Sequence, residues 1–169
     1  MGKPTKTELI SAFEQADSLM EHRIDRAYLA KALYALSTQA NEMEKMLNAC
    51  ESYFRSGQSV TDHRKIISAA NAYRTLTSTT SITESELECA LNVAAQMREQ
   101  DDDPDYIAKA ILSYNYLHKH LQKVYRSADR YFHSGMQSST LRELENNIKN
   151  YRALENRASG RDSRNLNVY

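Results

Sequence analysis

The feature that most constrains this chain is an internal repeat with a period of 78 residues. The segment YFRSG at residues 53–57 recurs as YFHSG at residues 131–135, an offset of 131 − 53 = 78. Laid without a gap, residues 3–78 match residues 81–156 at 20 of 76 pairs, whereas unrelated sequences of ordinary composition give roughly five. We interpret the chain as a tandem duplication, with repeat 1 at residues 1–80 and repeat 2 at residues 81–157.

Low glycine and proline content favours an entirely helical fold for both repeats. The chain has 4 Gly and 2 Pro among 169 residues, and hairpin-rich folds need more turn residues than this. Apolar residues recur at helical spacing in three stretches of each repeat, which predicts a short, a long and a short helix. The predicted fold is therefore all-α, with both repeats packed as one domain in an elongated helical bundle.

The long helix of each repeat carries a sustained heptad pattern. We place it between Asp25, a good N-cap residue, and Gly57, a left-handed residue beyond the C-terminus, and in repeat 2 between Asp103 and Gly135. A helix of this kind has about 31 residues and a length of about 46 Å. Its apolar positions follow coiled-coil spacing and form a seam. In repeat 1 the seam consists of Leu29, Leu33, Leu36, Ala40, Met43, Leu47, Cys50 and Phe54.

The helix lengths indicate how each repeat folds. Each short helix is about half as long as the long helix, so the first should cover its N-terminal half and the third its C-terminal half. An alternative breaks each long helix near residues 37–38 and 115, which gives eight helices in a solenoid of hairpins. No Gly or Pro marks such a break, and this favours continuous long helices.

Charge balance and cysteine content restrict the class of protein. Lys plus Arg equals Asp plus Glu at 22 each, which disfavours nucleic acid and membrane surfaces as general partners because their binders are normally basic. No apolar run reaches the ~18 residues of a membrane span, and no signal peptide is visible. We expect a cytoplasmic protein, with signal-less export as the alternative. Cys50 and Cys89 should be free thiols, and residues 158–169 a disordered tail.

Sequence motifs for catalysis and metal binding are missing. The chain has no glycine-rich phosphate loop, no His-Glu-x-x-His and no nucleophile elbow. We therefore expect a protein that is not an enzyme and that carries no cofactor or metal. The acidic run Asp101–Asp105 lacks the ligand spacing of a calcium loop, and we interpret it as stabilising the N-terminus of the second long helix.

Residues that differ between the repeats are the candidates for partner binding. Tyr34 and Tyr116 do not recur at the 78-residue offset, and amphipathic aromatics suit surfaces that become buried on binding. His118 occupies a seam position where repeat 1 has Ala40, so it is either a core histidine or a ligand-binding or pH-sensitive group. A basic row along the second long helix consists of Lys119, Lys123, Arg126 and Arg130.

The basic row itself admits two interpretations. Because its members are three or four residues apart, they lie on one face of the helix, where they can bind phosphates or an acidic partner. The row is otherwise a solvated face whose cations pair with Glu143 or Glu145 of the following helix.

The sequence favours a non-enzymatic, helical protein–protein interaction protein: an adaptor, chaperone, inhibitor or virulence-type factor that binds another protein through its helical surface. One alternative is a nucleic-acid-associated regulator that uses the basic row. A second alternative is a small-ligand sensor or enzyme with a pocket near His118. The heptad seam would also allow a homodimer, because such a seam can pair between chains.

Overall fold

The structure, a computed structural model, describes residues 3–25, 27–79 and 82–158. These residues form six α-helices, and none of them lies in a β-strand, which confirms the predicted all-α class. In chain order the helices are α1 Lys6–Glu21, α2 Leu29–Arg55, α3 Val60–Thr79, α4 Glu84–Glu99, α5 Ile107–His133 and α6 Ser138–Ala158. Apart from Ala158, the last residue of α6, the predicted tail at residues 158–169 lies outside the described residues.

Helix boundaries recur along the chain with the same period as the sequence. The starts of α4, α5 and α6 follow those of α1, α2 and α3 by 84 − 6, 107 − 29 and 138 − 60 residues, each equal to 78. Both long helices, α2 and α5, run for 27 residues without a break, a length of about 40 Å. The alternative with breaks near residues 37–38 and 115 is therefore wrong.

Both long helices begin after a left-handed tyrosine rather than directly after the predicted aspartate. Tyr28 and Tyr106 have φ angles of 58° and 60°, a conformation that does not belong to a right-handed helix. The aspartates still cap the helices from further back. The Asp25 carboxylate accepts the backbone N–H of Ala30 and of Lys31, at 3.2 and 3.1 Å. Asp103 accepts the equivalent groups of α5.

The predicted left-handed glycines follow the C-termini of both long helices. Gly57 and Gly135 have φ angles of 68° and 79°, which L side chains adopt only with strain. The residue after each glycine closes the helix end, because the Gln58 N–H donates to the Tyr53 carbonyl at 2.9 Å and the Met136 N–H donates to Tyr131 at 3.1 Å. Both ends are the Schellman type of C-cap.

The helices divide into two compact units, and each unit takes elements from both repeats. Unit 1 combines Lys3–Asn41 with Arg74–His118, and unit 2 combines Glu42–Tyr73 with the chain from Lys119 onward. Unit 1 thus contains α1, α4 and the N-terminal halves of α2 and α5, whereas α6, most of α3 and the other halves of the long helices belong to unit 2. Helices α1, α4 and α6 and most of α3 share a unit with the half of the long helix that they were predicted to cover.

Small residues on the short helices let unit 1 pack closely. Ala12 and Ala16 of α1 are fully buried, as are Ala90 and Ala94 at the same positions of α4. Their short side chains let neighbouring backbones approach, so the larger apolar groups of the long helices fill the space. The long helices contribute Ala30, Ala32, Leu33, Leu36, Ile107, Ala108, Ala110 and Ile111 to this core.

Reciprocal ion pairs join the two repeats inside unit 1. Lys31 of α2 donates to both carboxylate oxygens of Glu86 at 2.8 and 2.7 Å. Lys109 of α5 donates in the same way to Glu8 at 2.7 and 2.8 Å. Both glutamates also complete capping boxes, with Thr5 at the start of α1 and Thr83 at the start of α4. Each carboxylate therefore stabilises a helix N-terminus and an inter-repeat contact together.

Reciprocal aromatic contacts join the two repeats inside unit 2. The rings of Tyr53 and Phe132 are 5.5 Å apart between centroids, and those of Phe54 and Tyr131 are 6.5 Å apart. These separations lie in the favourable range for aromatic pairs. His63 of α3 extends the cluster by stacking on Phe132 at 5.0 Å. The YFxSG segments that reveal the repeat in the sequence are thus a packing element of unit 2.

A buried seam runs along both long helices, as the heptad pattern predicts. In α2 the buried seam residues are Leu33, Leu36, Ala40, Met43, Leu47 and Cys50. In α5 they are Ile107, Ile111, Leu121 and Ala128. Cys50 and Cys89 are both free cysteines, as predicted. Burial raises the pKa of the Cys50 thiol to about 12, which keeps it protonated near neutral pH.

A truncation in the seam should destabilise the fold strongly. Leu33 is fully buried in the unit 1 core, so Leu33→Ala should lower the free energy of unfolding by about 2 to 5 kcal/mol. Ile10 on α1 is 50% exposed, and Ile10→Ala is the control, with an expected change below about 1 kcal/mol. Urea unfolding followed by circular dichroism measures both. Equal losses in the two variants would contradict the assigned core.

Acid should weaken the reciprocal ion pairs. The hydrogen bond from Lys109 lowers the pKa of Glu8 below its ordinary 4.5, and the bond from Lys31 does the same for Glu86. When folding lowers the pKa of a carboxyl group, its contribution to the free energy of unfolding is complete above the pKa of the unfolded chain. That contribution is lost as the pH falls through the lower pKa of the folded chain. The wild-type urea midpoint should therefore fall as the pH drops below about 4.5.

A matched pair of variants isolates this effect. Glu8→Gln/Glu86→Gln removes the two paired carboxylates, and its urea midpoint should depend less on pH than that of the wild type. Glu14→Gln/Glu88→Gln removes two exposed carboxylates from the same helices and should keep the wild-type dependence. The assignment fails if both double variants show the same pH profile.

Candidate partner-binding site

The seven predicted partner-binding residues are divided between the two compact units. Tyr34 lies on α2, and the other six lie on α5. Unit 1 contains Tyr34, Tyr116 and His118, and unit 2 contains the basic row. The candidates therefore do not form a single site within one unit, and each group is described on its own.

The side chain of Tyr34 makes contacts inside unit 1. Its hydroxyl donates to Asp17 of α1, and its ring centroid lies 5.3 Å from that of Phe13. The hydrogen bond to the Asp17 carboxylate, together with partial burial, raises the pKa of Tyr34. The hydroxyl and part of the ring therefore hold α1 against α2, which accounts for this copy-specific tyrosine without a partner.

Tyr116 and His118 differ in exposure although they are close in sequence. Tyr116 is 52% exposed, so much of its ring is accessible to a partner. His118 is half-buried on α5, one helical turn beyond Tyr114, which packs against the unit 1 core. The equivalent residue of α2, Ala40, is buried, so the histidine occupies the outer part of the seam in repeat 2.

The basic row lies on the solvent-facing side of α5 in unit 2. Lys119, Lys123, Arg126 and Arg130 are all exposed. Arg130 donates to both carboxylate oxygens of Glu143 on α6, at 3.1 and 2.8 Å, which is the intramolecular pairing that the second interpretation predicts. Within the described ranges, the other three cations form no ion pair with a carboxylate.

The equivalent positions of α2 show how the surroundings of Lys123 differ from those of its counterpart. Lys45, the counterpart of Lys123, pairs with Glu42 at 2.6 Å, but the residue equivalent to Glu42 in repeat 2 is His120. Burial and the nearby Lys123 charge lower the pKa of His120, which favours its neutral form. Repeat 2 therefore keeps the cation and replaces its acidic partner with a histidine.

Arg126 occupies a position that serves as an acceptor in repeat 1. Its counterpart Asn48 accepts a hydrogen bond from Arg152 of α6 at 2.6 Å. Arg152 also binds both carboxylate oxygens of Glu51 at 2.9 Å and one oxygen of Glu155 at 2.7 Å. These bonds raise the pKa of the Arg152 guanidinium. Repeat 1 thus presents acceptors where repeat 2 presents an exposed cation.

Within the acidic run before α5, Asp103 performs the predicted capping role. Asp103 is buried, accepts the N–H groups of Ala108 and Lys109, and lies 3.6 Å from the guanidinium of Arg98. Among the described residues, no three His, Cys, Asp or Glu side chains are grouped closely enough to hold a metal ion.

Sequence reasoning did not identify the ion pairs that join the two repeats. Glu8 and Lys31 recur as Glu86 and Lys109, but single charged residues at matched positions do not show which one contacts which. The sequence signal for these ion pairs was that a capping glutamate and a lysine both recur at the 78-residue offset. Arg152 recurs as well, with Arg74 as its counterpart.

Comparisons with known proteins give no relative for this chain: no family model, curated protein or solved structure matches it. Of the helices in the described part of the chain, none combines the length and the apolar character needed to cross a membrane.

Removing the Tyr34 hydroxyl tests its structural role. Tyr34→Phe should lower the free energy of unfolding by about 1 kcal/mol, because the bond to Asp17 is lost while the ring still packs. Asp17→Asn keeps an acceptor and should cost less. Asp17→Ala, alone and combined with Tyr34→Phe, gives a double-mutant cycle in urea unfolding. Strictly additive effects in the cycle would show that the hydrogen bond contributes nothing.

Proposed function

We propose that this chain is a non-enzymatic interaction protein that binds an acidic segment of another protein through the basic row of α5. The observation that supports the proposal is the state of Lys119, Lys123 and Arg126. They are exposed, share one helix face and form no ion pair with a carboxylate of the described residues. By contrast, Lys31, Lys45, Lys109 and Arg130 of the two long helices are ion-paired.

The spacing of the row fits a regular acidic partner. Lys119 and Arg126 are seven residues apart, a separation of about 10 Å along the helix axis. A partner helix with glutamates at i, i+4 and i+7 presents three carboxylates over the same distance. Because the cations are exposed, their pairing has a small desolvation cost, and the contact should be fast and sensitive to salt.

The charge of the whole chain favours a protein over nucleic acid. Lys plus Arg and Asp plus Glu are 22 each, whereas nucleic-acid-binding domains usually carry a net positive charge that attracts the phosphate backbone. Arg130 at the end of the row is already held by Glu143. The resulting surface presents three cations and lies next to the Glu143 carboxylate. Such a surface suits a short acidic helix better than a continuous polyanion.

Charge reversal of the row tests the proposal. The probe is a labelled amphipathic helical peptide with three glutamates at 4-3 spacing, compared with a scrambled peptide of the same composition. The variant Lys119→Glu/Lys123→Glu/Arg126→Glu should bind the matched peptide roughly tenfold more weakly than the wild type. Fluorescence anisotropy at low and moderate salt gives both affinities.

A control variant distinguishes the effect of the basic row on affinity from the effect of net charge. Lys6→Glu/Arg64→Glu/Lys149→Glu reverses three exposed cations on α1, α3 and α6 and should keep wild-type affinity for the matched peptide. Equal weakening in both triple variants would reduce the effect to net charge and overturn the proposed site. So would equal affinity for the matched and scrambled peptides.

Duplex DNA and single-stranded RNA are the competing probes. If either binds more tightly than the matched peptide, with a salt dependence that falls by about 0.9 per reversed cation, the nucleic-acid-associated regulator replaces the present proposal. The small-ligand alternative near His118 stays a prediction of the sequence, which His118→Ala addresses through ligand-dependent changes in thermal stability.

A further inference from the structure

Two sets of contacts between the repeats, one in each compact unit, are reciprocal. In unit 1, Lys31 binds Glu86 and its counterpart Lys109 binds Glu8. In unit 2, Tyr53 packs on Phe132 while its counterpart Tyr131 packs on Phe54. In both cases, a residue of repeat 1 and its counterpart in repeat 2 make the same contact with the opposite repeat.

Reciprocity of this kind is the defining property of a twofold, self-complementary interface. In such an interface residue i contacts residue j, and the second j contacts the second i. Nothing in these contacts distinguishes a repeat 2 in the same chain from a repeat 2 in another chain. What selects the partner within the chain is the covalent connection, which raises its effective concentration.

The connection between the repeats is short. Helix α3 ends at Thr79 and α4 begins at Glu84, so residues 80–83 join them. Short connections between mutually complementary elements favour exchange of those elements between chains when protein concentration is high. Exchange keeps the Lys31–Glu86 and Lys109–Glu8 ion pairs and the reciprocal aromatic contacts, each now formed between two chains.

We propose that a second copy of this chain is a binding partner, and that it binds by exchange: repeat 1 of each chain packs on repeat 2 of the other. The seam residues Leu33, Met43 and Leu47 are buried within the chain. A second copy consequently reaches the seam by replacing a repeat rather than by adding to the outside. The exchange does not depend on the basic row, so it stands apart from the proposed function.

Two single variants test the exchange. Lys31→Glu places like charges opposite Glu86, and Glu86→Lys places like charges opposite Lys31, so each variant alone carries one repulsive pair. In an exchanged dimer that contains one chain of each variant, every pair is complementary. Equimolar chains refolded together should give a species of 2 × 19.4 = 38.8 kDa by light scattering. Either variant refolded alone should stay mainly at 19.4 kDa.

The matched control uses the same two substitutions in one chain. Lys31→Glu/Glu86→Lys has complementary pairs within itself, but an exchanged dimer with the wild type has one acidic and one basic mismatch. This mixture should contain roughly tenfold less mixed dimer than the mixture of single variants. Equal amounts of dimer in the two mixtures would overturn the exchange, because dimerisation would then ignore the inter-repeat pairs.

The wild-type chain provides a test that does not depend on the folding of any variant. Two wild-type chains with different affinity tags are refolded together over a range of high concentrations, and each tag is then captured. Exchange predicts mixed-tag dimers whose share rises with concentration and persists on dilution until the chains are unfolded again. A solution that stays at 19.4 kDa throughout the range contradicts the proposal, as do dimers that separate at once on dilution.

Discussion

The structure depends on burying the apolar seams of the two long helices. A seam of heptad spacing cannot be covered by its own helix, and each long helix extends past any one of the short helices beside it. Each compact unit therefore combines elements of both repeats. In unit 1, α1 and α4 lie with the N-terminal halves of the long helices. In unit 2, α6 and most of α3 lie with the C-terminal halves. A repeat on its own would leave the inter-repeat contacts unmade, among them the Lys31–Glu86 and Lys109–Glu8 ion pairs.

Much of this fold was predictable because its determinants are local. Apolar spacing and the scarcity of turn residues indicated the helices, and Gly57 and Gly135 marked the ends of α2 and α5 because their left-handed conformation is accessible mainly to glycine. The starts of these helices were placed too early, since an aspartate that caps from several residues away has the same sequence signature as an adjacent one. The pairing of Lys31 with Glu86 could not be read from the sequence, because the identity of a long-range partner depends on which helices meet in space. For the candidate site, the row on α5 was predictable from spacing, whereas the Asp17 acceptor of Tyr34 was not.

The two repeats share a scaffold and differ in surface charge. Matched positions hold the residues that pack, such as Tyr53 and Tyr131, while the outer face of α5 carries Arg126 where α2 has the acceptor Asn48. The outer face of repeat 2 therefore differs in charge while the packing residues are shared, and for this reason the basic row, rather than the shared aromatic cluster, is the candidate site.

The two cysteines allow the separation of the long helices along the seam to be measured chemically. Cys50 lies inside the seam with its thiol kept protonated by burial, whereas Cys89 is exposed on α4. A thiol reagent therefore modifies Cys89 from the native state but reaches Cys50 only when the seam separates. The ratio of the two modification rates measures how often the long helices come apart, without any label and in the unaltered sequence. Because Cys50 is buried within unit 2, that ratio reports on the cohesion of unit 2.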